Sequence, residues 1–289
     1  MQFSSIIKLI RPHQYLKNLF IFLPIFFALK ITDISLLLKS LLAFLSFSLA
    51  ASAIYILNDY LDIEEDKRHP IKKNRPLASG EINSKYAIFM MGFFITLSLI
   101  IISFISMQTM YIIILYIILN IAYSYKLKHI AIIDIIVISI GFVLRVFAGT
   151  YSTGLDTSMW IIVITFLLAL FLALAKRRDD VLLFNKTGAK MRKVIDGYNL
   201  QFVDMAMTLM AGVVIVSYLM YCVSPEVIAR TGSNKLYITL IFVIVGFMRY
   251  MQITYVEENS GSPTKILMKD RIIQISIVMW IITFAILLY

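Results

Sequence analysis

LLLKSLLAFLSFSLAASAIYIL, residues 36 to 57, runs without a break into Asn58-Asp59-Tyr60-Leu61-Asp62-Ile63-Glu64-Glu65-Asp66. The first part is an apolar run of the length that crosses a bilayer, since a spanning helix needs about 20 such residues. The second places a cluster of carboxylates at one end of it. A run of that length reads as a membrane-spanning helix, and the acids at its end place a cluster of carboxylates at one membrane face.

The rest of the chain agrees. Of 289 residues 60% are hydrophobic and 15% charged, with 11 glycines and 6 prolines, a composition outside soluble globular, fibrous and disordered chains alike. Nine apolar runs are readable: Asn18 to Leu29, Leu36 to Leu57, Tyr86 to Ser106, Thr109 to Tyr125, Ile130 to Tyr151, Met159 to Ala175, Phe202 to Val223, Leu236 to Ile253 and Ile272 to Tyr289. The first is short, and reaches spanning length only if the amphipathic stretch from Ile6 to Lys17 leads into it. That opening lacks the cationic, apolar, small-residue order of a cleavable signal and is read as mature protein. The expectation is an all-α polytopic membrane protein with nine transmembrane helices, forming one domain over residues 1–289.

If the runs alternate sides, all but five of the 27 Lys and Arg residues fall on the face of the N-terminus; the exceptions are Lys30, Lys39, Arg230, Lys235 and the intramembrane Arg145. The positive-inside rule makes that face cytoplasmic and puts the C-terminus outside. The formal charge of +10 is then topological, and nucleic acid is not needed to explain it. The two long connections, about 58–85 and 176–201, fall on this face, so function is expected there. Cys222 is the sole cysteine, which excludes intrachain disulfides and Cys-based metal sites, and it reads as a packing residue.

Asn58, Asp62 and Asp66 are spaced four and four, so on a continued helix they form one stripe with side chains about 6 Å apart. Stacked carboxylates repel, and hard oxygen ligands at a membrane edge suit Mg²⁺ carrying phosphate. The alternative is a solvated helix end, which accounts well for Glu64 and Glu65. The following Lys67-Arg68-His69-Pro70-Ile71-Lys72-Lys73-Asn74-Arg75-Pro76-Leu77-Ala78-Ser79-Gly80 favours the phosphate reading: acids for a metal are followed by bases for free phosphate oxygens. His69 is either a phosphate donor or a loop residue.

A second cluster is Tyr123-Ser124-Tyr125-Lys126-Leu127-Lys128-His129, followed by Asp134. An ionisable residue within a span faces a cavity or a partner. Asp134, Gly141 and Arg145 share a helical face. Asp134 either completes a second metal or diphosphate position, with Lys128 and Arg145 holding anionic substrate, or pairs with a basic residue between packed helices. Lys176-Arg177-Arg178-Asp179-Asp180 repeats the acid–base pattern and, taken alone, reads as a positive-inside stop signal. Asp204 stays ambiguous.

These residues resemble the UbiA superfamily of intramembrane prenyltransferases across nearly the whole chain. The motif N-D-x-x-D-x-x-x-D stands at Asn58, Asp59, Asp62 and Asp66, followed by K-x-x-R-P-L-A-S-G at Lys72 to Gly80; the second motif corresponds to Tyr123 to Asp134. Within the superfamily, Arg11-Pro12-His13-Gln14-Tyr15-Leu16-Lys17-Asn18, Lys128-His129, Gly141-Phe142-x-x-Arg145-x-x-Ala148-Gly149 and Lys176-Arg177 are similar to the group of decaprenyl-phosphate phosphoribosyltransferases.

The resemblance implies a nine-helix bundle in a bacterial plasma membrane that transfers 5-phosphoribose from phosphoribosyl diphosphate to a polyprenyl phosphate, for lipid-linked pentose and cell-envelope glycan synthesis. It further implies Mg²⁺ on Asn58, Asp59, Asp62 and Asp66, catalytic roles for Asp62, Asp66 and Asp134, and substrate phosphates shared among Lys17, Arg75, Tyr123, Lys128, Arg145, Lys176 and Arg177. A homo-oligomer is left open. The nearest alternative is an aromatic prenyltransferase of the same fold with a polyprenyl diphosphate donor, although members of that kind keep more aspartates in the second motif than Asp134 alone. A transporter, the reading from another class, would need broken helices and access from both faces. No matched Gly/Pro interruptions stand in the two halves.

Overall fold

The structure, a computed structural model, describes residues 3–68, 72–188, 193–259 and 263–288. His69, Lys190 and Arg192 lie outside the described residues. All regular elements among the described residues are helical, and eight helices are long and apolar enough to cross a membrane. Their apolar faces give the lipid-facing surface: Phe89, Phe104, Met205, Leu209 and Ile286 are all exposed.

By contacts the chain divides into two compact units, Met1–Lys128 with Ile140–Thr157, and His129–Ser139 with Ser158–Tyr289.

The first unit opens with α1 (Phe3–Ile10), a 3-10 segment (Pro12–Phe22) and α2 (Leu23–Phe27). The first expected span, Asn18 to Leu29, is therefore not one long α-helix. Pro12 and Pro24 remove backbone donors, and Arg11 and Leu29 adopt positive φ of 54° and 58°, which breaks helical continuity on either side. α3 (Ile34–Leu61) starts at an Asp33 cap whose carboxylate accepts the Leu36 amide at 3.1 Å. It packs on α5 (Ser84–Ser103) and α6 (Met107–Tyr125). Ala43, Ser46, Ala50, Ala51, Ser52 and Ala53 are buried on it, and such small residues allow close helix approach in lipid. Ser46 donates to the Ser98 carbonyl and Ser98 to the Ser46 carbonyl, both at 2.7 Å, so polar groups inside this interface satisfy each other. After α3 comes α4 (Ile63–Arg68) and, past residue 71, a 3-10 turn at Lys72–Asn74. α7 (Ile133–Thr153) begins in the second unit and ends in the first. Its Gly149 lies so close to Ile21 that a Cβ there would stand 2.0 Å from the Ile21 carbonyl oxygen.

The second unit holds α8 (Met159–Thr187), α9 (Leu200–Val223), the short α10 (Pro225–Thr231), α11 (Leu240–Tyr255), α12 (Pro263–Lys269) and α13 (Arg271–Leu288). Phe171 is its buried centre, edge-on to Phe247 and Tyr250. α8 continues well beyond the expected end at Ala175, because nothing from Lys176 to Thr187 breaks a helix until Gly188 caps it at φ 69°. Lys176, Arg177, Arg178, Asp179 and Asp180 thus sit on a helix rather than in a loop.

Candidate functional site

The carboxylate cluster lies where α3 stops. Backbone bonding continues through the break, from the Asp62 amide to the Asn58 carbonyl at 3.0 Å and from the Asp66 amide to the Asp62 carbonyl at 2.8 Å. The spacing therefore works nearly as it would on an unbroken helix. Each carboxylate has its own cation. Arg11 and Arg75 both bond Oδ1 of Asp59, the latter at 3.0 Å, and the same Nη1 of Arg75 donates to Asp66 at 2.7 Å. Lys128 donates to Asp62 at 2.7 Å. Ser124 donates to Oδ1 of Asn58 at 2.5 Å, tying the second motif's first turn to the first motif.

Asp59 and Asp66 are buried, whereas Asp62 is half-exposed. Burial pushes the Asp66 carboxyl above its usual range, and the Arg75 guanidinium works against that shift. Oδ2 of Asp59 is buried and has no hydrogen-bond partner. A buried, unpartnered carboxylate oxygen beside Asn58, Asp62 and Asp66 is a hard-oxygen donor set, and it fits a divalent cation carrying phosphate. Among the described residues no three His, Cys, Asp or Glu side chains already converge into a closed metal cage. Glu64 pairs with Lys67 in solvent, as a solvated helix end does. Tyr123 is half-buried on α6.

Deeper in the same unit, Arg145 is 5% exposed. Its Nε donates to Oδ1 of Asn18 at 2.7 Å and its Nη1 to the Gly141 carbonyl at 2.6 Å, so the side chain folds back toward the start of α7. The guanidinium lies within 4.9 to 5.2 Å of the Phe47, Tyr116 and Phe142 ring centres. Asn18 in turn donates to Ser48 at 2.9 Å. Arg145 does not pair with Asp134, although sequence spacing puts them on one helical face.

Asp134 belongs to the second unit. It is fully buried, and both of its oxygens are taken: Arg177 Nε donates to Oδ2 and Tyr198 donates to Oδ1, each at 2.6 Å. Arg177 also reaches Asp180 at 2.6 Å. Tyr198 gets there because Gly197 has no side chain; a Cβ on it would meet the Ala131 Cβ at 2.4 Å. Burial and the Asp134 bond raise the Tyr198 hydroxyl above its ordinary range, so it stays a donor. Arg178 donates to Asp204 at 2.7 Å and lies over Tyr255, while Lys176 is exposed.

Three partners are not assigned by sequence reasoning. Arg11 stands in the quoted Arg-Pro opening, where a basic residue just before proline was the available signal. Ser124 is part of the second motif's first turn. Tyr198 carries no signal at all, since only the folded chain brings it to Asp134.

A sequence profile of the UbiA prenyltransferase family matches residues 19–288. The decaprenyl-phosphate phosphoribosyltransferase of Mycolicibacterium smegmatis is 30% identical over 99% of this chain and 93% of its own. That of Corynebacterium glutamicum is 30% identical over 99% of this chain and 87% of its own. A UbiA homologue from Archaeoglobus fulgidus, solved with GPP and Mg²⁺ bound, superposes with a TM-score of 0.74 at 21% identity, covering 98% of this chain and 99% of that one. This integral membrane chain belongs to the UbiA prenyltransferase family.

Proposed function

We propose that the chain transfers 5-phosphoribose from phosphoribosyl diphosphate to the phosphate of a polyprenyl phosphate, releasing diphosphate, as a step toward lipid-linked pentose for cell-envelope glycans. The observation that carries the reading is the set of carboxylates at the end of α3, each matched by a cation that a phosphate could take over. The phosphoribosyltransferase names of full-length relatives support it.

Asn58, Asp59, Asp62 and Asp66 would hold Mg²⁺, which when bound stabilises charge growing on the leaving diphosphate. Arg11, Arg75 and Lys128 bind diphosphate oxygens and so orient C1 of the pentose. The C1–O bond to diphosphate breaks, and a C1–O bond to the lipid phosphate forms. The lipid phosphate is already an anion near neutral pH, so no strong general base is required, in keeping with the lack of a nucleophile–base pair among the site residues. In the second unit, Arg177 and Lys176 are phosphate-binding cations. Asp134, with both oxygens occupied, is a positioning residue for Arg177 and does not touch the reacting atoms. Tyr123 borders the first-unit site.

The chain acts as one catalytic domain of nine crossings in a bacterial plasma membrane, its N-terminus cytoplasmic and its N-terminal 3-10 segment with α2 supplying the ninth crossing. Detergent-purified protein with Mg²⁺ should move radiolabel from ribose-labelled phosphoribosyl diphosphate into an organic-extractable lipid when polyprenyl phosphate is supplied, and EDTA should abolish it. No label from folded protein would turn the assignment to a polyprenyl diphosphate donor and aromatic acceptors.

A further inference from the structure

Asn58 meets Ser124, and one turn further on Asp62 meets Lys128; both pairs are 66 residues apart in sequence. A constant offset means that the two chain segments run in the same direction and in register here, so each turn of the first motif faces the matching turn of the second. Lys128 brings a charge to that ladder. Ser124 is neutral and 2% exposed, so it offers a substrate phosphate neither charge nor open access.

The Ser124 hydroxyl has one proton and two oxygens beside it, Oδ1 of Asn58 at 2.5 Å and the Asn120 carbonyl at 2.6 Å. The carbonyl lies one turn earlier on α6, where the Ser124 backbone amide is its helical donor. Oδ1 of Asn58 has no other donor among the described residues. The proton therefore belongs to Asn58. The separation agrees, because 2.5 Å is an O–H···O distance and shorter than an amide N–H donating the other way would give. The amide is thus oriented, with its oxygen end toward Ser124 and its NH₂ end away. Asn120 is tied back in turn, donating from Nδ2 to the Tyr116 carbonyl at 2.8 Å, and the Tyr116 ring lies 4.5 Å from that of Phe47 on α3. Tyr116, Asn120 and Ser124 make one four-residue stripe along α6, on the side that packs against α3.

We propose that Ser124 is a positioning residue for the divalent cation: its bond to Oδ1 fixes the Asn58 amide and leaves the second lone pair of that oxygen as a ligand. An amide freed of this bond can turn about its last torsion and present NH₂, which repels a cation, in place of oxygen. Ser124 touches no reacting atom and acts only through Asn58. The inference deepens the reading above, in which Asn58 helps to hold Mg²⁺, and rests on it for the presence of the cation.

The test follows Mn²⁺ binding by electron paramagnetic resonance on the full purified chain, with inorganic diphosphate present. Ser124→Ala weakens Mn²⁺ about 10- to 100-fold, the range for deleting a residue that orients a metal ligand. Asn58→Asp makes both ends of the side chain oxygen, so orientation no longer matters and binding survives. On that background Ser124→Ala costs less than about threefold, a departure from additivity expected only if the two residues act as one. An equal loss on both backgrounds would mark Ser124 as a packing residue and overturn the proposal, as would wild-type affinity in Ser124→Ala. A wild-type chain that binds no Mn²⁺ overturns the positioning role together with the metal assignment. Ser124-dependent Mn²⁺ binding without ribosyl transfer to lipid by the wild type would keep the role and refute the reaction.

Discussion

Lys128 donates from Nζ to Oδ1 of Asp62 at 2.7 Å, joining the turn after α6 to the break between α3 and α4. Two motifs far apart in sequence therefore make one cluster within the first unit. Both side chains keep some solvent, at 16% and 27%, so the pair contributes no more than about 1 kcal/mol to stability. Its worth should show in activity. Asp62→Asn and Asp66→Asn abolish label transfer with membrane insertion intact, and Lys128→Gln lowers kcat/KM by about 10²-fold. Thermal midpoints measured on the same preparations check this, since a fall in midpoint matching the fall in activity would mark the cluster as structural.

The buried pair of Asp134 and Arg177 should behave in the opposite way. Arg177→Met leaves an uncompensated carboxylate with zero exposure, and losing one partner of such a pair costs about 3–5 kcal/mol. Arg177→Met combined with Asp134→Asn removes both charges and recovers much of that loss. Thermal unfolding in detergent reads both variants. A single variant as stable as wild type would mean that the pair does not hold the second unit together. Tyr198→Phe deletes the other donor to Asp134 and costs about 1–2 kcal/mol.

These two pairs show what the sequence could convey. The four-residue spacing of Asn58, Asp62 and Asp66 is local, and local helical geometry preserved it across the break at Asp62. Hydropathy placed the long helices because a bilayer imposes length and apolarity on any spanning segment. Pairing across helices is not local. Asp134 and Arg145 share a face of α7, yet Arg145 turns to Asn18 and Asp134 to Arg177, choices set by which helices pack against each stretch of α7. The N-terminal run is apolar enough to read as a span, yet it is a 3-10 segment followed by the five-residue α2 and not one long α-helix, with Pro24 inside it, positive φ at its end at Leu29, and Arg11 and Pro12 ahead of it. α8 outruns its apolar stretch by twelve residues because hydropathy marks where lipid contact stops and not where hydrogen bonding stops.

Gly149→Ala tests the backbone contact between the 3-10 segment and α7. The new methyl carbon would stand 2.0 Å from the Ile21 carbonyl oxygen and 2.9 Å from its carbon, and backbone cannot move aside as a flexible side chain can. The 3-10 segment must shift away from α7, and with it Lys17 and Asn18. The expected cost is about 1–3 kcal/mol in thermal stability, the range for overpacking a tight interface. Activity falls with stability, because Asn18 loses its register with Arg145, while the Asp59–Arg75 contact lies on other elements and persists. Gly92→Ala serves as the control: it sits on α5 with nothing within 4 Å of its would-be Cβ, and it should leave activity unchanged and raise stability slightly, by about 0.5–1 kcal/mol, as alanine does inside a helix. If Gly149→Ala matched that control, the close approach of Ile21 would not be what holds the 3-10 segment against α7.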